Sequence, residues 1–182
     1  MNVSGFLEWM KYTKPCSPSM QKALCAYMRA AYSAATNSPD PSSQNGAVVV
    51  SEQTIIASSW NRFPPRVKVT PERLADRDMR LRLTVHAEQA AITTMATLTV
   101  SSKRTTLVCP WAACEDCVKM IADAHITWLI VHKERMMLTH AQWGESILSV
   151  FETLTESGVR IAYVEGFLNA SPIRVAGQLW TP

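Results

Sequence analysis

Two short stretches hold residues able to do chemistry together: "TVHAEQAA", with His86 and Glu88, and "CPWAACEDC", with Cys109, Cys114 and Cys117. The second places three of the chain's five cysteines within a single turn-sized segment. A C-x-x-C pair alone is ambiguous, because zinc sites, redox motifs and apolar helix faces all use that spacing. Residues three apart on a helix share a face. Cys114 and Cys117 can therefore hold one metal if a helix begins near Cys114, where the helix dipole and free amides favour thiolates. Two thiolates need partners. His125, His132 and His140 lie downstream, whereas His86 stands at the predicted start of another helix with Glu88 two residues on. Residues two apart share no helix face, so both can address one metal only at an irregular helix start, which is where the pattern puts them. Cys109 ends the preceding strand and reads as a small buried hydrophobe, a bystander. Cys25 reads the same way, and Cys16 as incidental.

Elements on either side must position these groups. Residues 18 to 36 carry a Ser-Pro-Ser start and apolar residues at helical spacing, which predicts a helix. "NSPDPSSQNG" is turn chemistry and leads into "AVVVS" and "TIIASSW", a predicted hairpin. Residues 61 to 83 combine Pro64, Pro65 and Pro71 with dense charge, so at least the first half is expected to be an exposed loop, unusually long and thus a candidate to touch a ligand. A helix from about His86 to Ala96 follows, then strand "TTLVC", a helix from about Cys114 to Ala124 and strand "TWLIVH". A helix from about Ala141 to Glu156 and strand "VRIAYV" complete the series. Strands alternating with helices imply a sheet with parallel pairs and helices on its faces. For "NASPIRVAGQLWTP" a final strand and a surface tail are both open.

The 182 residues, 47% hydrophobic, suffice for a real core and are expected to form one domain, residues 18–165 as its centre and 166–182 as a C-terminal extension. No run approaches the roughly 18 apolar residues of a membrane span. The N-terminus lacks the pattern of a secretory signal, and the odd, sparse cysteine count argues against a disulfide scaffold, so a cytoplasmic protein is expected. The net charge of +3 is too small to imply nucleic-acid binding. It is unevenly spread: Arg62, Arg66, Lys68, Arg73, Arg77, Arg80 and Arg82 face only Glu72, Asp76 and Asp78 in residues 61–83.

H-x-E followed by C-x-x-C resembles the signature of the zinc nucleoside and nucleotide deaminases. The resemblance spans about residues 20 to 165 and is closest to the deoxycytidylate (dCMP) deaminases of phage and bacterial type. It is carried by "DPSSQNGAVVV", "SSWNRFPPRV", "PWAACEDCVKMIADAHI" and "QWGESILSVFETLTESGVRI". Ala113 stands where that family usually has Pro, and His125 where it often has Gly. The resemblance implies a three-layer α/β/α fold with a mixed sheet of about five strands. It implies His86, Cys114 and Cys117 as ligands of one Zn2+ per subunit, with water in the fourth position. Residues 37 to 85 hold neither His nor Cys, so no second zinc is expected. Zinc lowers the pKa of water towards roughly 7, which suits attack on C4 of a cytosine or C6 of an adenine, with Glu88 carrying the proton to the ring and to departing ammonia.

The expected reaction is dCMP to dUMP, with or without a 5-substituent on the base. Asn61 is the expected sugar contact. The backbone amides around Ala87 and Cys114 are candidates for the base, Trp111 is a further substrate-binding candidate, and Arg62, Arg80 and Arg82 are candidates for the phosphate, since arginine's fork matches it. For any one of these arginines the competing reading, pairing with Glu72, Asp76 or Asp78 on a solvated surface, is the more common outcome. By resemblance the protein is a homo-oligomer, often a hexamer, with dCTP and dTTP as allosteric effectors. A nucleic-acid deaminase would share the zinc site but wants a wider basic groove with stacking aromatics; here only Trp60 and Phe63 interleave the charged loop. A non-catalytic zinc module has no use for Glu88.

Overall fold

The structure, a computed structural model, describes residues 8–98, 104–111, 114–139 and 144–182. Ala113, His140 and the expected helix start at 141 lie outside these. A 3-10 turn at Met10–Tyr12 leads into β1 (Thr13–Pro15) and α1 (Pro18–Ala35); β2 (Gly46–Ser51) and β3 (Thr54–Trp60) form the predicted hairpin. Two short helices follow, α2 (Pro71–Ala75) and α3 (Arg77–Leu83), then α4 (Ala87–Ala96), β4 (Thr105–Val108), α5 (Glu115–Asp123) and β5 (Trp128–His132). The remainder is α6 (Lys133–Met137), α7 (Gly144–Glu156), β6 (Arg160–Val164), β7 (Ile173–Val175) and β8 (Gln178–Trp180).

The main sheet has six strands in the order β1-β6-β5-β4-β2-β3, one more than the five expected. The extra strand, β1, is three residues long and lies parallel to β6. Nothing in "TKP" alternates over enough positions to announce a strand; pairing with Ile161–Tyr163 makes it one. Trp9 anchors the segment, its ring 5.9 Å from both Phe151 and Tyr163. From β4 outward through β5 and β6 the strands are parallel, and β2 runs antiparallel to both β3 and β4.

Strand alternation separates two cores. Val49, Leu107, Leu129, Val131, Ile161 and Tyr163 face α4, α5 and α7, with Ala91, Ile121 and Phe151 beneath them. Val48, Val50, Val108, Ile130, Ala162 and Val164 face α1 and the C-terminal segment, where Met28, Tyr32 and Ile173 pack. Both faces are covered, so the strands read as continuous apolar runs rather than alternating ones. The C-terminal stretch is neither a strand of the main sheet nor a tail: β7 and β8 form a separate hairpin that closes the second core.

Gly46 opens β2 where α1 comes closest. A Cβ there would stand 2.0 Å from the Ala31 carbonyl oxygen and 2.6 Å from the Ala35 nitrogen, both backbone atoms. Gly46→Ala is therefore expected to force α1 off the sheet and to cost about 3 kcal/mol or more, at the upper end of overpacking effects. A lower urea midpoint at unchanged slope is the result to look for. His125, at the α5–β5 turn, adopts φ 53, the left-handed conformation that suits glycine.

Candidate active site

The site forms where β4 and β5 end and α4 and α5 begin. At the carboxyl ends of parallel strands the chain turns away from the sheet and leaves a crevice. His86 is the residue just before α4, extended at φ −69 and ψ 156, and its backbone N–H donates to Gln89 Oε1 at 3.0 Å. Cys114 holds the same position before α5, at φ −87 and ψ 174, with Cys117 in the first turn. Both helix starts deliver their side chains to one point. His86 Nδ1 lies 3.2 Å from Cys114 Sγ and 3.4 Å from Cys117 Sγ, and the two sulfurs are 3.5 Å apart. Tetrahedral zinc with bonds of about 2.0–2.3 Å sets its nitrogen and sulfur ligands roughly 3.5–3.8 Å apart, so this trio fits the ion with a slight opening. Among the described residues it is the one His/Cys/acid group found able to hold a metal.

Without a metal, the three groups perturb one another strongly. The bond to Cys114 raises the His86 imidazole to about 9, against the opposing effect of burial. The Cys114 thiol is lowered to about 4, first by its bond to Cys117 and then by His86, while Cys117 is pushed up, chiefly by that same bond to Cys114. Glu88, only 2% exposed, is raised above the ordinary carboxylate range by burial, with His86 pulling the other way.

These groups open into a cavity of about 270 Å³. Asn61, Ala87 and Trp111 line it together with His86, Glu88 and Cys114. Asn61 reaches His86 across a long insertion because the insertion is clamped at its base: Arg62 N–H donates to the Val85 carbonyl at 3.0 Å, and Val85 N–H returns a bond of 2.8 Å. The Asn61 amide is itself engaged, accepting from Asn45 N–H and donating to the Ser43 carbonyl, both at 2.8 Å. It thereby holds the "DPSSQNG" turn against the cavity.

The structure does not bring Arg62, Arg80 or Arg82 into the cavity wall. Arg62 Nη1 donates to the Phe63 carbonyl at 3.2 Å. Arg80 Nε lies 3.5 Å from Asp40 Oδ2, and its Nη1 donates to the Leu74 carbonyl. Arg82 lies in the last turn of α3. The second half of the expected loop is helical because Thr70 and Asp76 each cap a start, the latter accepting from Met79 N–H at 2.9 Å. Within α3, Arg80 is turned to the Leu74 carbonyl and to Asp40.

Arg135 lines the cavity instead. It is not among the residues the motifs mark, and its one signal in the sequence is its place: an arginine just after the apolar strand "WLIVH" sits where parallel strands present functional groups. Cys109 is buried as expected, but it is more than filler: it accepts from Asn45 Nδ2 at 3.2 Å and donates to the Trp111 carbonyl at 3.0 Å, beside Glu88. The turn at Val175 and Ala176 also reaches the cavity. Gly177 N–H donates to the Ser42 carbonyl at 2.8 Å, and Arg174 N–H to Gln44 Oε1 at 2.9 Å, so the C-terminal hairpin holds the same turn that Asn61 holds.

A family profile described as the cytidine and deoxycytidylate deaminase zinc-binding region matches residues 21–133. The chain belongs to that family. Zinc is the metal of that family's binding region, and the His86, Cys114 and Cys117 trio could hold it. Among solved structures it is similar to the dCMP deaminase of cyanophage S-TIM5 in complex with dCMP and dUMP, at 24% identity and a TM-score of 0.60 over 81% of this chain and 98% of that one. The apo form of that enzyme gives a TM-score of 0.56 at the same identity, over 81% of this chain and 99% of that one. It is also similar to Acinetobacter baumannii RibD, at 14% identity and a TM-score of 0.55 over 79% of this chain and 35% of that one. These likenesses are of fold, and they agree with the mixed sheet and helices found for this deaminase. No match was found among curated protein sequences. No helix among the described residues is long and apolar enough to cross a membrane.

Proposed function

We propose that this protein deaminates dCMP to dUMP by hydrolysis, and that the observation carrying the reading is a buried Glu88 beside the His86, Cys114 and Cys117 trio in one cavity. His86, Cys114 and Cys117 bind the zinc. Zinc at that point supplies Lewis-acid activation of water for attack on the ring carbon bearing the amino group. Glu88 would take one proton of the water and pass it to the ring nitrogen, then move the second from the new hydroxyl on the ring carbon to the departing amine, so that water and the cytosine give uracil and ammonia. Burial suits this work, since a carboxyl raised towards neutrality both accepts and returns a proton readily. Trp111 and the backbone at Ala87 bound the base, and Asn61 fixes the wall against which the sugar rests. The cavity volume is near the lower end of small-ligand pockets, about 300 Å³, a size that suits a single nucleotide. We read the whole chain as one deaminase domain. By family resemblance it works as a cytoplasmic homo-oligomer of phage type, open to dCTP and dTTP.

Ammonia release by zinc-loaded protein from dCMP, 5-methyl-dCMP, dCTP, deoxycytidine and a cytosine- or adenine-containing oligonucleotide tests the reading. Turnover of the monophosphates alone is expected. Turnover of the oligonucleotide alone would overturn it, and so would zinc binding with no turnover of any substrate.

A further inference from the structure

Arg135 is a charged side chain with only 6% of its surface exposed, in the wall of the cavity that holds His86, Glu88 and Cys114. Among the described residues no carboxylate pairs with it. Its neighbour Glu134 is turned away, 2.9 Å from His132 Nε2 and accepting from Gly166 N–H at 2.8 Å. Asp40, also in the wall, is taken by Arg80 and by the backbone N–H groups of Ser42 and Ser43. Arg135 Nε has no hydrogen-bond partner among the described residues. Its guanidinium stands 5.5 Å over the Trp111 ring, which is fixed by a 2.8 Å bond from its Nε1 to Thr139 Oγ1. Stacking of this kind holds the guanidinium plane and leaves its in-plane donors unused.

A buried cation without a counter-charge is costly, and a cavity wall is a place where a ligand can bring the missing anion. Of the three parts of a nucleotide, base and sugar are neutral and only the phosphate is negative. Phosphate also matches the planar fork of arginine. Burial lowers the guanidinium to about 10, which leaves it charged at neutral pH. Resting on the reading of this site as a nucleotide deaminase, we propose that Arg135 binds the 5′-phosphate of the substrate and makes the site select a nucleotide over the corresponding nucleoside.

The test compares wild type, Arg135→Met and Arg135→Lys as zinc-loaded full-length protein, with dCMP and deoxycytidine as substrates and with dUMP and deoxyuridine as calorimetric ligands. For Arg135→Met the ratio of kcat/KM on dCMP to that on deoxycytidine is expected to fall on the order of 100-fold, mainly through KM, as when one partner of a buried charged pair is removed. Binding of dUMP should then be no tighter than that of deoxyuridine. Arg135→Lys keeps the charge and loses the fork, so an intermediate fall of about 10-fold is expected; it carries the test alone if the methionine variant does not fold. An unchanged ratio in both variants overturns the proposal, as does an equal loss on both substrates. A wild type that prefers deoxycytidine overturns it too, together with the monophosphate reading, while leaving the deaminase intact. A wild type that turns over neither substrate, yet binds dUMP more tightly than deoxyuridine only when Arg135 is present, removes the proposed reaction and keeps the phosphate site.

Discussion

Glu88→Gln should lower turnover of dCMP by at least about 10³-fold, within the range that general acid–base catalysis contributes, while zinc content stays at that of the wild type. The change keeps the shape and one hydrogen-bonding oxygen but removes the proton-carrying group. Among the described residues no neighbour can replace it. Asp40 is the other carboxylate in the cavity wall, and its oxygens already accept from Ser42 and Ser43 N–H and face Arg80. The Cys109 thiol lies close, but burial holds it protonated, well above the ordinary thiol range. Because Glu88 contributes no atom to the His86, Cys114 and Cys117 trio, metal analysis of the variant separates loss of a proton carrier from loss of the metal. A variant that lost zinc along with activity would assign Glu88 a ligand's role instead.

The second large effect concerns the metal itself. Cys117→Ala is expected to weaken zinc binding by more than about 100-fold, the upper end of what loss of a mere outer-shell partner costs, and to abolish activity with it. Cys117 is fully buried in the core shared by α4, α5 and α7, so no exposed side chain can move in to take its place. Loss of zinc should also lower thermal stability. Metal held at 100 times its Kd contributes about 2.7 kcal/mol, and chelator treatment of the wild type should reproduce the shift in Tm seen in the variant. Acid works against the same site. A ligand must be deprotonated to bind, and His86 without metal holds its proton up to about 9. Apparent zinc affinity is thus expected to rise with pH through neutrality towards that value and to fall below it, with proton release on binding; titration calorimetry in buffers of different ionisation enthalpy measures both. An affinity independent of pH would argue against His86 as a ligand.

Glycine at position 46 shows how far sequence and structure can diverge in what they reveal. As letters, "NGAVVV" is a turn followed by a strand. Only the packed molecule shows that the residue is required by the backbone of α1, 2.0 Å from where a Cβ would lie, rather than by the turn. The insertion between Asn61 and His86 makes the same point in reverse. Its proline and charge density predicts exposed chain for the first half, yet the caps at Thr70 and Asp76 make two short helices of the second.

What the sequence determined by itself was the local part of the site and the order of the elements. His86, Glu88, Cys114 and Cys117 were legible because each pair is close in the chain at a predicted helix start, and because H-x-E followed by C-x-x-C resembles the deaminase signature. The alternation of strand and helix was legible because periodicity is a local property. The tertiary structure decided whatever depends on residues far apart in the chain meeting. It added β1 as a sixth strand through pairing with β6 and folded the last residues into a hairpin against α1. It left Arg62 and Arg80 out of the cavity wall, bonded to the Phe63 carbonyl and to Asp40, and put Arg135 into that wall with Trp111 beneath it. A charge count along the chain cannot tell a paired arginine from an unpaired one, because pairing is set by the three-dimensional neighbours that folding supplies.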